Sequence, residues 1–255
     1  LRLKRMGISA KKFLEAVPEV EGDLQVFVDE VRENRVAGTV DMIYSHHEMP
    51  DKVTFEDIED VPKGSFNIGK SRANKLQSSL GKVPHLLVAG QTGGGKSTFL
   101  RQLIATLYLR NEFDQFALVD LKGGLEFQLF KDLTRVDVID GARSAISCLE
   151  SMNSNLDDRI KTLAANGVKD FSAFLGVEKR KLKYPEGVAP GAMLGRRVIV
   201  IDEVAELFLA GGAVNAEQSK RASEVVSRIS RLGRAPGIHL VLGTQRPDKR
   251  ALDTQ

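Results

Sequence analysis

Beyond residue 84 the chain alternates between short apolar runs and longer segments whose apolar positions recur three and four apart. "HLLVAG" (85–90) is an apolar run closed by glycine, the pattern of a buried strand. "KSTFLRQLIATLYLR" (96–110) sets Phe99, Leu100, Leu103, Ile104, Leu107 and Tyr108 on one helical face. "FALVD" (116–120) and "RVDVI" (135–139) read as strands, and "ARSAISCLESMNSNLDDRIKTLAA" (142–165) as a long amphipathic helix. "FSAFLGVEKRKLKYPEGVAPGAMLG" (171–195) reads as a basic loop. "RRVIVIDE" (196–203) is a central strand, "EQSKRASEVVSRISRLGR" (217–234) a helix and "IHLVLGTQ" (238–245) the last strand. Strands alternating with helices of this length predict an α/β fold, a mostly parallel sheet flanked by helices.

The first 61 residues differ: they are charge-rich and carry short alternating pieces such as "DLQVFVDEV" and "GTVDMIY". They predict a small N-terminal α/β or β-rich appendage, with the main domain spanning 62–255. "VPKGSFNIGKSRANKLQSSLGKVP" (61–84) predicts a strand or hairpin leading into that domain. The chain opens on Leu1 rather than an initiator Met, which suggests a piece of a longer protein.

Composition narrows the chemistry. With 37 basic and 34 acidic side chains the formal net charge is only +3, so any contact with nucleic acid must be a local patch. Cys148 is the one cysteine, which excludes a disulfide framework and a cysteine metal site. No apolar run approaches the ~18 residues of a membrane span.

The glycine cluster after the first buried strand has a specific use. Gly90-x-x-x-x-Gly95-Lys96-Ser97 matches the nucleotide-binding P-loop. Glycines let the backbone curl around phosphates with its N–H groups inward, and the following helix offers its positive end to the same anion. In this reading Gly90, Gln91, Thr92, Gly93, Gly94, Gly95, Lys96, Ser97 and Thr98 bind ATP. Lys96 reaches the β- and γ-phosphates, Ser97 binds Mg²⁺ and Thr98 lies near the α-phosphate.

Asp202-Glu203 ends a central strand, where a carboxylate comes to lie beside such a loop. Asp202 is expected to hold Mg²⁺, and Glu203 to polarise the attacking water. A glutamate directly after the aspartate suits a hydrolase better than a kinase, which must exclude water. Gln245, with Thr244 at the end of the last strand, can sense the γ-phosphate. Arg228 and Arg231 share a helix face, and Arg234 falls beyond the helix end; by spacing alone these read as a solvated basic terminus.

"VPHLLVAGQTGGGKS", "ALVDLKGGLEF", "VIVIDEVAEL" and "GRAPGIHLVLGTQRPD", in this order and spacing, resemble the motor domain of FtsK/SpoIIIE-type DNA translocases, a group of the FtsK/HerA motors. The likeness covers about Gly64 to Asp248. It implies a RecA-like core in a homo-oligomeric ring, a hexamer, that pumps double-stranded DNA in the bacterial cytoplasm, tethered to the inner face of the membrane through segments outside this chain. It aligns Lys96 and Ser97 with the phosphate and magnesium residues, Asp202 and Glu203 with the Walker B pair, and Arg234 with the family's trans-acting arginine. Asp120-Leu121-Lys122 resembles the family's Asp-Pro-Lys, with Leu in place of Pro, and marks Asp120 and Lys122 as supporting residues.

The family pattern continues past "TQRPD", so a motor domain cut at its C-terminus is expected. "KGGLEF" and "VEKRKLKYP" are the nameable candidates for DNA-facing loops. Relatives with the same motifs drive specialised protein secretion or act in conjugative DNA transfer, and both stand as alternatives. A nucleotide-binding module without hydrolysis is a third.

Overall fold

The computed structural model describes the chain except for Arg5, 56–60, 62, 63, 73, 112, 210, 212, 213 and 246–255. Its contacts divide the chain into two compact units, Leu1–Val61 with Asn67–Gln77, and Pro62–Phe66 with Ser78–Gln255.

In the first unit β1 (Arg2–Lys4) is followed by short helices α1 (Ala10–Glu15) and α2 (Val17–Leu24). Strands β2 (Phe27–Asn34) and β3 (Thr39–Ser45) come next, matching the two alternating pieces of the sequence. They pair antiparallel, and β1 adds antiparallel to the other edge of β3. Alternation gives this sheet its inner side, where Val40 and Met42 are buried. The ribbon of β4 (Phe66–Lys70) and β5 (Lys75–Ser78) is the hairpin expected between the two regions, and most of it groups with the first unit.

The second unit holds β6 (His85–Ala89), α3 (Lys96–Leu109), β7 (Gln115–Asp120), β8 (Val136–Asp140), α4 (Ala142–Ala165), α5 (Phe171–Leu175), β9 (Arg197–Ile201), α6 (Ala205–Phe208), α7 (Ala216–Leu232) and β10 (Ile238–Thr244). Its five strands form one sheet in the order β6-β10-β9-β7-β8. Every neighbouring pair in it is parallel. The fold is thus the parallel α/β sheet that the alternation predicts.

Strand alternation makes two cores. Ala117, Val119, Ile199, Ile201 and Leu240 point to one face, where they pack with Ala145, Leu149 and Leu156 of α4 and Val226 and Ile229 of α7. Phe116, Leu118, Val198, Val200 and Val241 point to the other, against Leu100, Leu103, Ile104 and Leu107 of α3. Because both faces are covered, the strands read as continuous apolar runs. α7 starts on a capping box, in which the Asn215 side chain accepts from the Gln218 amide and the Gln218 side chain accepts from the Asn215 amide.

One segment departs from the sequence reading. The stretch 171–195 is no plain loop: Asp170 caps α5 by accepting from the Ala173 amide at 2.8 Å, and Phe171, Phe174 and Met193 join Leu163 in a third, small core. Buried Arg159 fixes the neighbourhood, donating to the carbonyls of Pro236 at 2.8 Å and Gly195 at 2.7 Å. Burial, with Arg197 nearby, lowers that guanidinium to about 9.

Candidate active site

The parallel sheet brings the C-terminal ends of β6, β7, β9 and β10 to one edge. The glycine turn leaves that edge directly after β6, with the Gly90 amide donating to the Thr244 carbonyl at 3.1 Å. Gly93 and Gly95 have φ of +79° and +84°, a region closed to most side chains. Gly95 is the N-cap of α3, so the first turn of α3 opens out of the loop. Gln91, Thr92, Gly93, Gly94, Gly95 and Thr98 are exposed, leaving their backbone amides and the Thr98 hydroxyl reachable.

Lys96 is buried, and its ammonium donates to the Asp202 carbonyl oxygen. The phosphate loop and the acidic strand are therefore joined. Gly243 of β10 is required here, since a Cβ at this position would collide with the same Asp202 carbonyl.

Asp202 is 1% exposed. Its Oδ1 accepts from the Leu121 amide at 2.9 Å, while Oδ2 is buried without a partner among the described residues. Burial is the main reason its carboxyl is raised to about 6; nearby Asp120 adds to this, while the Leu121 amide and Lys96 oppose it. A buried carboxylate oxygen without a partner among the described residues fits a small hard cation, which takes few protein ligands and completes its shell with phosphate and water.

The unfolded chain releases the Asp202 proton near 3.8 and the folded chain near 6, so ionising the buried carboxylate costs stability as pH rises from about 4 to 6. Asp202→Asn should therefore stabilise the nucleotide-free, metal-free protein at pH 7.5, by up to ~3 kcal/mol, and raise its melting temperature. The gain should vanish toward pH 4. A thermal unfolding series from pH 4 to 8 checks it; equal melting temperatures at pH 7.5 would contradict it.

Glu203 is 2% exposed and fully engaged. Oε1 accepts from Thr244 Oγ1 at 2.8 Å, and Oε2 from Lys122 Nζ at 2.9 Å. The Gln245 amide donates to both oxygens, at 3.1 and 3.0 Å. Burial pushes this carboxyl up, but the Lys122, Thr244 and Gln245 donors together outweigh it and hold it below the ordinary glutamate value. Gln245 also accepts from Thr92 Oγ1 at 3.3 Å, which ties the end of β10 to the glycine turn.

The loop after β7 follows Asp120 and carries Lys122, both expected as supporting residues, and the rest of the "KGGLEF" segment. Buried Asp120 folds it, accepting from the Lys122 amide at 3.0 Å and the Glu126 amide at 2.7 Å. Glu126 then reaches α3: Oε1 accepts from Ser97 Oγ at 2.9 Å and Oε2 from Arg101 at 2.8 Å. Both charged side chains of "KGGLEF" thus enter the site. The acid six residues after Asp120 was the available signal for Glu126, and nothing in its spacing points at Ser97.

Arg234 is not brought to this edge. It precedes β10, whose seven residues span roughly 23 Å at ~3.3 Å each, so it sits at the opposite end of the sheet from Gly90. There its guanidinium donates to the Gly81 carbonyl at 3.3 Å. It lines a cleft of about 570 Å³ with Lys169, Arg196, Arg231 and His239. Burial lowers His239 to about 4, so it is neutral at physiological pH. Arg246, Pro247 and Asp248 of the "GTQRPD" segment lie outside the described residues.

A glycine turn closed by Lys-Ser, joined through the lysine to an Asp-Glu pair at the end of β9, is the arrangement of a nucleoside-triphosphate site. The model of the FtsK/SpoIIIE family matches residues 58–249. The chain belongs to this family of P-loop ATPases. It is 32% identical over 177 residues to the DNA translocase FtsK of Helicobacter pylori strain J99, an alignment covering 68% of this chain and 19% of that protein. It is 30% identical over 197 residues to the FtsK of Streptococcus pneumoniae strain R6, covering 75% and 24%. The chain thus spans about a fifth to a quarter of these FtsK/SpoIIIE relatives.

Among solved structures, the pCW3 conjugation coupling protein TcpA, a monomer form with ATPγS, superposes with a TM-score of 0.68 at 27% identity, over 96% of this chain and 66% of TcpA. The cytoplasmic domain of the type VII secretion ATPase EccC of Thermomonospora curvata gives 0.56 at 25% identity, over 80% and 24%. Among the described residues no helix is long and apolar enough to cross a membrane.

Proposed function

We propose that the chain is the motor segment of an ATP hydrolase that moves double-stranded DNA as part of a ring-shaped homo-oligomer, a hexamer. The observation that carries the hydrolytic half is the junction of the two motifs, with Lys96 on the Asp202 carbonyl and Glu203 one residue further on. The DNA half rests on relatives named as DNA translocases and on a conjugation coupling protein among the structural neighbours.

In this reading the amides of Gly93 to Ser97 and the Lys96 ammonium hold the triphosphate, with Thr98 beside the α-phosphate. Ser97 Oγ and Asp202 would hold Mg²⁺, which when bound supplies positive charge against the phosphate oxygens. Glu203 orients water and draws its proton as the water attacks the terminal phosphorus, and the β–γ bridging oxygen leaves with the diphosphate. Gln245, bonded to both Thr92 and Glu203, is the residue that reads the terminal phosphate. Arg234 cannot serve its own site from the far edge of the sheet; it serves the site of a neighbouring subunit.

Turnover measured with and without long linear duplex DNA, at two salt concentrations, tests the DNA half. Duplex should raise the rate, and the gain should shrink at higher salt because phosphate contacts release counterions. The EccC likeness supports a second reading, protein export, in which a signal peptide stimulates turnover and duplex does not.

A further inference from the structure

A general base must offer a lone pair to water, yet every acceptor position of Glu203 is taken. Two of its partners, Thr244 and the Gln245 amide, are fixed by β10. The third is different: Lys122 is a flexible side chain, about a third exposed, on a loop whose next two residues, Gly123 and Gly124, have φ of +93° and +75°. At the other end of that loop Glu126 holds Ser97 Oγ, and between them Leu125 is 80% exposed. One short loop therefore grips the hydrolytic carboxylate with one charged residue and the P-loop serine with the other.

We propose that Lys122 is a positioning residue that holds Glu203 away from the attacking water in the nucleotide-free state, and that Glu126 ties this restraint to Ser97. When Ser97 turns to its ligands in the loaded site, it gives up Glu126. The loop then pivots at Gly123 and Gly124, and Lys122 withdraws from Oε2. Hydrolysis is thereby withheld until the site is fully loaded. This rests on the reading of Glu203 as the base, and the test separates the two.

Polymer-free ATP turnover should rise about tenfold in K122M, with KM for ATP within twofold of the parent. K122R, which restores the cation, should bring the rate back toward the parent's. E126Q should raise it in the same direction as K122M. The double variant K122M/E203Q should lose the gain, because the gain runs through Glu203.

A fluorophore on L125C, in a C148S background, reads the loop directly. Its emission should shift when the parent receives ATPγS with Mg²⁺, and should already be shifted in K122M without nucleotide. If E203Q hydrolyses ATP at the parent rate, the base assignment fails and the restraint falls with it. If E203Q is inactive while K122M turns over at or below the parent rate, or the K122M fluorophore matches the parent's without nucleotide, the restraint is wrong and the base stands.

Discussion

Glu203→Gln should lower turnover by about 10³-fold while nucleotide binding persists, because a general base contributes roughly 10²–10⁴ and the amide cannot take the proton. The substitution is close to isosteric at a site that is 2% exposed, so no cavity opens. Thr244 and the Gln245 amide can still donate to the amide oxygen, although one donor must turn away from the new NH₂ group. Single-turnover hydrolysis alongside binding of a fluorescent ATP analogue separates the two effects. Loss of binding in proportion to turnover would mean that Glu203 serves the architecture of the site rather than its chemistry.

Arg234→Ala should spare ATP binding and lower turnover by roughly 10³–10⁵, the range of an arginine supplied to a phosphoryl-transfer site from a neighbour. Among the described residues the side chain makes one long hydrogen bond, to the Gly81 carbonyl, so its removal should leave the fold intact. The distinctive result is in mixtures. In the proposed ring, a mixture of Arg234→Ala and Glu203→Gln subunits would have some interfaces with a good base on one side and a good arginine on the other. Activity should therefore exceed the sum of the two inactive preparations at intermediate ratios. Turnover unchanged in pure Arg234→Ala would remove the residue from the reaction.

Much of this site is legible in the sequence, for a physical reason. A phosphate cradle needs glycines at fixed offsets, and a strand buried on both faces needs a run such as Val198–Ile201, so both leave local marks. The cross-connections leave none. That Leu121 reaches Asp202 depends on β7 lying beside β9, and that Glu126 meets Ser97 depends on Asp120 gathering two amides of its loop. The core at Phe171, Phe174 and Met193 was hidden because basic residues surround its few apolar ones. Arg234 reads as an ordinary basic terminus by spacing alone; only the family resemblance singles it out, and its place at the sheet end remote from the P-loop depends on the pairing of β10 with β6.

The central claim is that ATP lies on the turn between β6 and α3, with the acidic pair at the end of β9 facing its terminal phosphate. A crystal structure of this chain with ATPγS and Mg²⁺ tests it most directly. The account predicts the triphosphate on the amides of Gly93 to Ser97, the metal between Ser97 Oγ and Asp202, and Glu203 turned toward the terminal phosphorus. Nucleotide bound elsewhere with the glycine turn empty, or Asp202 and Glu203 directed away from the phosphates, would contradict it.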